Sequence, residues 1–138
     1  MAYKNNNRKE LSTINLDYTV SDKGGIKLKD KELFNAVAQE WAEAINRTKK
    51  TQARNFYDQI LKLENEIKKS DFESVYPFIK MLNSKVAYGV SRKVVSPDFQ
   101  NMMSQCLEQI TADERGEQKF RHFKIFFESV LGFFKGSN

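Results

Sequence analysis

The chain has 138 residues, 40% of them hydrophobic, which is enough for one domain with a sizeable core and too few for two. No apolar run approaches the roughly 20 residues of a membrane span, the opening MAYKNNNRKELST lacks the apolar stretch of a secretory signal, and the single cysteine, Cys106, excludes an internal disulfide and fits a reducing cytoplasm. The net charge is +5, but residues 1–29 hold six cations against three acids, so a basic surface elsewhere must come from local clustering.

Residues 1–29 read as a mobile basic N-terminal arm. They are rich in Asn, Ser, Thr, Lys and Gly, and the scattered apolar positions Leu11, Ile14, Leu16, Tyr18 and Val20 are too few to offset the entropy of ordering. The segment SDKGG, from Ser21 to Gly25, closes the arm as a hinge. Residues 30–138 then read as one helical-bundle domain. Only two prolines and long segments rich in Lys, Glu, Gln, Ala and Leu favour helix.

Five helical patterns follow in order. The first opens at Asp30 and places Leu33, Phe34, Val37, Trp41, Ala44 and Ile45 on one face. The second begins after Thr51 as a candidate cap, with a stripe of Ala53, Phe56, Tyr57, Ile60, Leu63 and Ile67. Ser70 to Glu73 has capping-box spacing, and Pro77 predicts a short turn at 71–75 before a main helix near 77–92 carrying Phe78, Ile79, Leu82, Val86 and Val90. Ser96-Pro97 starts the fourth helix, with Phe99, Met102, Met103, Cys106, Leu107 and Ile110. A second capping box, Thr111 to Glu114, launches the last helix, whose stripe is Phe120, Phe123, Phe127, Val130, Leu131 and Phe134, with Gly136 ending it. Short connections make neighbours roughly antiparallel. The fold class is all-α, a compact single-domain bundle of about five helices.

The residues of catalysis are sparse. One histidine and one cysteine do not make a zinc site, and no glycine-rich phosphate loop exists, so neither a metal nor a cofactor is expected. Cys106 lies on an apolar stripe, where a small buried hydrophobe is its role. His122 has no evident nucleophile beside it, and the carboxylate pairs Glu40/Glu43 and Asp58/Glu64 sit among lysines with nothing to separate their pKa values. An enzyme is not expected.

Basic residues cluster instead. Arg47, Lys49, Lys50 and Arg54 fall within eight residues that contain no acid, at the start of the second helix, where cations oppose the helix dipole. Ionisable residues placed against local preference mark functional positions, and open amides of the first turn beyond Thr51 would add to an anion site. In the third helix, Lys85 and Arg92 are seven apart with Lys93 alongside, Tyr88 beside this face, and Gly89 between them to let a backbone approach. In the last helix, Arg121 and Lys124 share one face, continued by Glu128, and Arg115, Lys119 and His122 share another. Basic groups interleaved with aromatics suit single-stranded nucleic acid held through phosphates. No pattern of base-reading Asn, Gln and Arg for duplex recognition stands out. A stand-alone helical nucleic-acid-binding protein or regulator satisfies the same features, as does an adaptor docking through Leu11, Ile14, Leu16, Phe126 or Phe133.

Three ordered segments carry a resemblance. Thr51-Gln52-Ala53-Arg54-Asn55-Phe56-Tyr57, followed by Ile60, resembles the Thr/Ser-x-x-Arg-x-Phe/Tyr helix start of the small subunit of type III-A CRISPR effector (Csm) complexes. Met81 to Tyr88, with Arg92 beyond, is similar to that family's middle segment. Phe120 to Val130, with Phe134-Lys135, is similar to its C-terminal Phe-x-x-Phe-Glu-Ala-Val-x-x-Tyr-x-Lys pattern, although Phe133-Phe134 replaces the tyrosine. Together they span residues 48–135.

The resemblance implies a non-catalytic subunit of a cytoplasmic prokaryotic ribonucleoprotein in antiviral defence. Several copies would stack head to tail opposite the backbone subunits that hold the guide RNA, and basic residues would help hold the single-stranded target RNA. RNA cleavage belongs to the backbone subunit; DNA cleavage and cyclic oligoadenylate synthesis belong to the large subunit. The implied partners are guide and target RNA, the backbone and large subunits, and copies of itself, with no membrane. Arg54, Lys85 and Arg92 match the family's motifs. Lys49, Lys50, Lys93, Arg121 and Lys124 are RNA-binding candidates from charge and placement alone.

Overall fold

The computed structural model describes residues 10–138 of the chain. A small hairpin of β1 (Tyr18–Val20) and β2 (Ile26–Leu28) precedes the helices α1 (Ala38–Ala44), α2 (Lys50–Lys69), α3 (Phe72–Lys80), α4 (Leu82–Ser91), α5 (Pro97–Glu108) and α6 (Glu114–Phe133). The bundle is built around α6, which packs against α1 and α2. Its Phe120, Phe123, Phe126, Phe127 and Val130 are all buried, so Phe126 belongs to the core and is not a docking residue. A wide π-helical turn, Leu33–Val37, leads into α1 and keeps Leu33, Val37, Ala38, Trp41, Ala42 and Ile45 facing inward. Tyr57 of α2 stacks on Phe127 of α6 at 6.1 Å, joining the two long helices.

Residues 10–29 depart from the expectation of a mobile arm; residues 1–9, which complete that arm, lie outside the described residues. Ile14, Leu16 and Tyr18 alternate into the core with a period of two, as an extended strand does. Their backbone groups find side-chain partners on the helices. Ile14 N–H donates to Gln105 Oε1 at 3.0 Å, Leu16 N–H to Gln109 Oε1 at 2.9 Å, and Gln109 Nε2 donates back to Ile14 O at 2.8 Å. Ser12 donates to the Glu40 carboxylate and accepts, through its carbonyl, the Trp41 indole N–H. Each buried aliphatic side chain contributes about 1.5–3 kcal/mol. Together with satisfied backbone groups, that outweighs the ordering cost which composition alone suggested would prevail. SDKGG is likewise the turn of the hairpin rather than a hinge. Ser21 N–H and Gly24 N–H close it onto Gly25 O and Ser21 O, with Gly24 at φ +82°.

Helix boundaries move for specific reasons. Thr51 does not cap α2. Lys49 occupies the cap position without a side-chain hydrogen bond, because tertiary bonds pin the start instead. At the next helix the cap is Asp71, whose carboxylate accepts from Ser74 N–H at 2.7 Å, and α3 runs straight through Pro77 to break at Met81. Pro77 and Glu73 are both exposed, so the Glu73 carbonyl that loses its helical donor faces water. Phe72, Val75 and Ile79 form the buried stripe of α3; Phe78, expected inside, is 56% exposed. The fourth helix starts as expected, Ser96 Oγ accepting from Phe99 N–H with Pro97 at the first position. Thr111 does not cap α6: Asp113 does, accepting from Gly116 N–H, while the Thr111 hydroxyl donates to the Asp113 carboxylate at 2.6 Å.

Candidate nucleic-acid interface

The connection between α1 and α2 is anchored by Thr48, which is fully buried and which the sequence pattern did not mark. Its hydroxyl donates to Ser96 Oγ at 3.0 Å and accepts from Ser96 N–H at 3.1 Å, tying the start of α2 to the start of α5. The last residues close over the same place. Thr48 O accepts from Ser137 N–H, Ser137 O accepts from Lys50 N–H at 2.8 Å, and Lys49 N–H donates to Val94 O at 3.2 Å. Gln52 and Ala53 N–H both donate to Lys49 O. The first-turn amides expected to be open are therefore largely occupied, and an anion here meets side chains rather than backbone.

One of those tertiary bonds brings backbone from beyond α4 to the start of α2. Lys49, Lys50 and Arg54 stand at the start of α2, while Arg92 and Lys93 come from the end of α4 through the Lys49–Val94 contact. Lys50 and Arg54, with Leu131, Phe134 and Lys135 from the end of α6, line a pocket of about 400 Å³ that contains no carboxylate. Lys135 was not among the candidates; its signal was its place one residue before Gly136. Among the described residues, none of Lys50, Arg54, Arg92, Lys93 or Lys135 forms an ion pair, while the Lys49 ammonium donates to Asn138 O at 3.2 Å. Arg92 lies 5.4 Å from the ring of Tyr88, which is 64% exposed and available for stacking. Gly89 does something other than admit a ligand backbone. It is buried, and a Cβ there would meet Val95 Cγ2 at 2.7 Å, so the chain's own return to α5 fills its space.

The other candidates lie apart. Lys85 donates to Gln59 at 2.8 Å, on the flank of α2 that borders an apolar groove with Leu63, Phe78 and Met81. Arg121 pairs with Glu117 at 3.0 Å, and Lys124 sits between Glu64 at 3.9 Å and Glu128 at 3.8 Å. Arg115 and Lys119, with Lys29, converge on Asp17 at 2.6, 4.0 and 2.8 Å, and Arg115 also lies 4.2 Å from the Tyr18 ring centre. The Lys29 ammonium, with Arg115 and Lys119 behind it, holds the Asp17 carboxyl well below the usual carboxylate range. This third basic face is thus an anchor for the N-terminal segment.

His122 belongs to the same anchor. It is buried, its Nδ1–H donates to Leu16 O at 2.9 Å, and its Nε2 lies 3.0 Å from Gln118 Nε2. Cys106 is buried, and desolvation pushes its thiol far above the ordinary range. Among the described residues no group of His, Cys, Asp and Glu has the makings of a metal site, and no helix is long and apolar enough to cross a membrane.

A mostly helical body, with a pocket between α2 and the end of α6 lined by three cations and no carboxylate, defines a small helical scaffold. A family model described as Csm2 Type III-A matches residues 28–138, from the second hairpin strand to the last residue. The chain belongs to the Csm2 type III-A family, a structural small-subunit family, and so is a subunit of a type III-A CRISPR Csm complex that associates with the other Csm subunits. No curated protein and no solved structure matched the chain.

Proposed function

We propose that the chain is a non-catalytic subunit that stacks in several copies along the guide–target RNA filament and holds the target strand through Lys49, Lys50, Arg54, Arg92 and Lys93. Lys85, Arg121 and Lys124 are outer contacts, the last two weakened by their carboxylate partners. The observation that supports this reading is the pocket in which Lys50, Arg54 and Lys135 meet with no carboxylate in its lining. Arg121 and Lys124 on α6, by contrast, are each matched to acids. Phosphates along a single strand supply the negative charge that the pocket lacks.

The test is Lys50→Glu with Arg54→Glu. Both side chains are exposed, so the far-UV spectrum and unfolding midpoint should stay close to wild type. Binding of a labelled single-stranded RNA should weaken at least tenfold, and the salt slope should fall by about 0.7 per lost phosphate contact. A folded double variant that binds RNA like wild type refutes the assignment.

A further inference from the structure

The pocket between α2 and α6 has more structure than phosphate attraction needs. Its cationic side, Lys50, Arg54 and Lys135, faces an apolar floor of Leu131 and Phe134. The floor is held in place by the chain's own last residues. Gly136 takes a left-handed conformation at φ +65°, and a Cβ there would stand 2.6 Å from the Phe134 ring and 2.7 Å from Lys50 Cγ. Backbone at residue 136 is therefore wedged between the ring and the lysine stem. Ser137 fixes that wedge through Lys50 N–H, Thr48 O and a hydroxyl bond to Arg47 O. A volume of about 400 Å³ falls within the range of roughly 300–1,000 Å³ for small-molecule sites.

We propose that this pocket takes one nucleotide of a bound RNA strand, its phosphate among Lys50, Arg54 and Lys135 and its base on Leu131 and Phe134. The proposal rests on the RNA reading above and adds a base to it. A phosphate alone gains nothing from an apolar floor, and an apolar peptide gains nothing from three cations. A base carries both a phosphate and a flat apolar face, and its stacking is indifferent to sequence. An acidic peptide matches the charge but leaves the floor unused.

The full chain is titrated against a labelled ten-nucleotide single-stranded RNA and against an abasic ribose-phosphate chain of equal length. Wild type should bind the RNA about five- to tenfold more tightly than the abasic chain. Phe134→Leu, which keeps an apolar side chain, should reduce RNA affinity about fivefold and leave the abasic chain unaffected. Equal binding of the two polymers by wild type, or equal weakening of both by Phe134→Leu, overturns the base site while the phosphate reading stands. RNA binding insensitive to Lys50→Glu with Arg54→Glu overturns both. Should Phe134→Leu unfold, competition on wild type decides. Uridine 5′-monophosphate should displace RNA at several-fold lower concentration than inorganic phosphate, and equal potency, or displacement as strong by a poly-glutamate peptide, refutes the proposal.

Discussion

Lys93 occupies a position where glycine would be the more stable residue. It is the one described non-glycine residue with positive φ, at 64°, and it lies just past the end of α4. The turn it makes lets Lys93 N–H donate to Val90 O and both Val94 and Val95 N–H donate to Gly89 O, directing the chain to Lys49 and on to α5. An L-residue in that conformation costs about 1–2 kcal/mol. Glycine would remove this cost but add about 0.4–1 kcal/mol of unfolded-state entropy. Lys93→Gly should therefore stabilise the protein by about 0.5–1 kcal/mol, raising the melting temperature by roughly 2–5 °C. Urea unfolding followed by circular dichroism measures it. RNA affinity should fall about two- to threefold in the same variant, with the salt slope lowered by about 0.7. Lys93→Ala supplies the control, losing the same charge without the gain in stability. A Lys93→Gly variant no more stable than wild type, at unchanged urea m-value, refutes the idea that a cation is kept here against the backbone's preference.

Gly116→Ala should cost about 3 kcal/mol or more, because a Cβ at that buried position would overlap the Thr111 carbonyl and force the Asp113 cap apart; a loss under about 1 kcal/mol in chemical denaturation would show that the start of α6 gives way freely. Asp17→Asn should cost about 1–2 kcal/mol at pH 7 and less in high salt, since Lys29 and Arg115 are half exposed. Asp17 has a depressed folded-state pKa, so its contribution is complete above the unfolded value near 4 and declines as pH falls below it. The stability gap between wild type and Asp17→Asn should therefore narrow from pH 7 to pH 3, and a gap that is constant or widens would contradict the ion cluster.

The sequence by itself determined the helical class, most of the inward stripes and the Ser96 cap, whereas the caps read at Thr51, Ser70 and Thr111 fall instead at Lys49, Asp71 and Asp113. Ser96-Pro97 and the apolar positions of α2, α5 and α6 follow from spacing within a few residues, where side-chain direction is dictated by a 3.6-residue turn. It also showed that Arg47 to Arg54 is cationic without acids. Which cations remain uncompensated was a tertiary matter. Lys124, Arg115 and Lys119 meet Glu64 and Asp17 from distant parts of the chain, and no periodicity reports such encounters. The docking of residues 10–20 was half legible, in the alternation of Ile14, Leu16 and Tyr18. Its anchors are not, because Gln105, Gln109 and His122 are nearly a hundred residues away. The pocket floor and its cations come from opposite ends of the helical region, Lys50 and Arg54 from α2 and Phe134 and Lys135 from beyond α6. Local preference shapes each helix, but burial and charge pairing between helices decide which side chains stay free to meet a ligand.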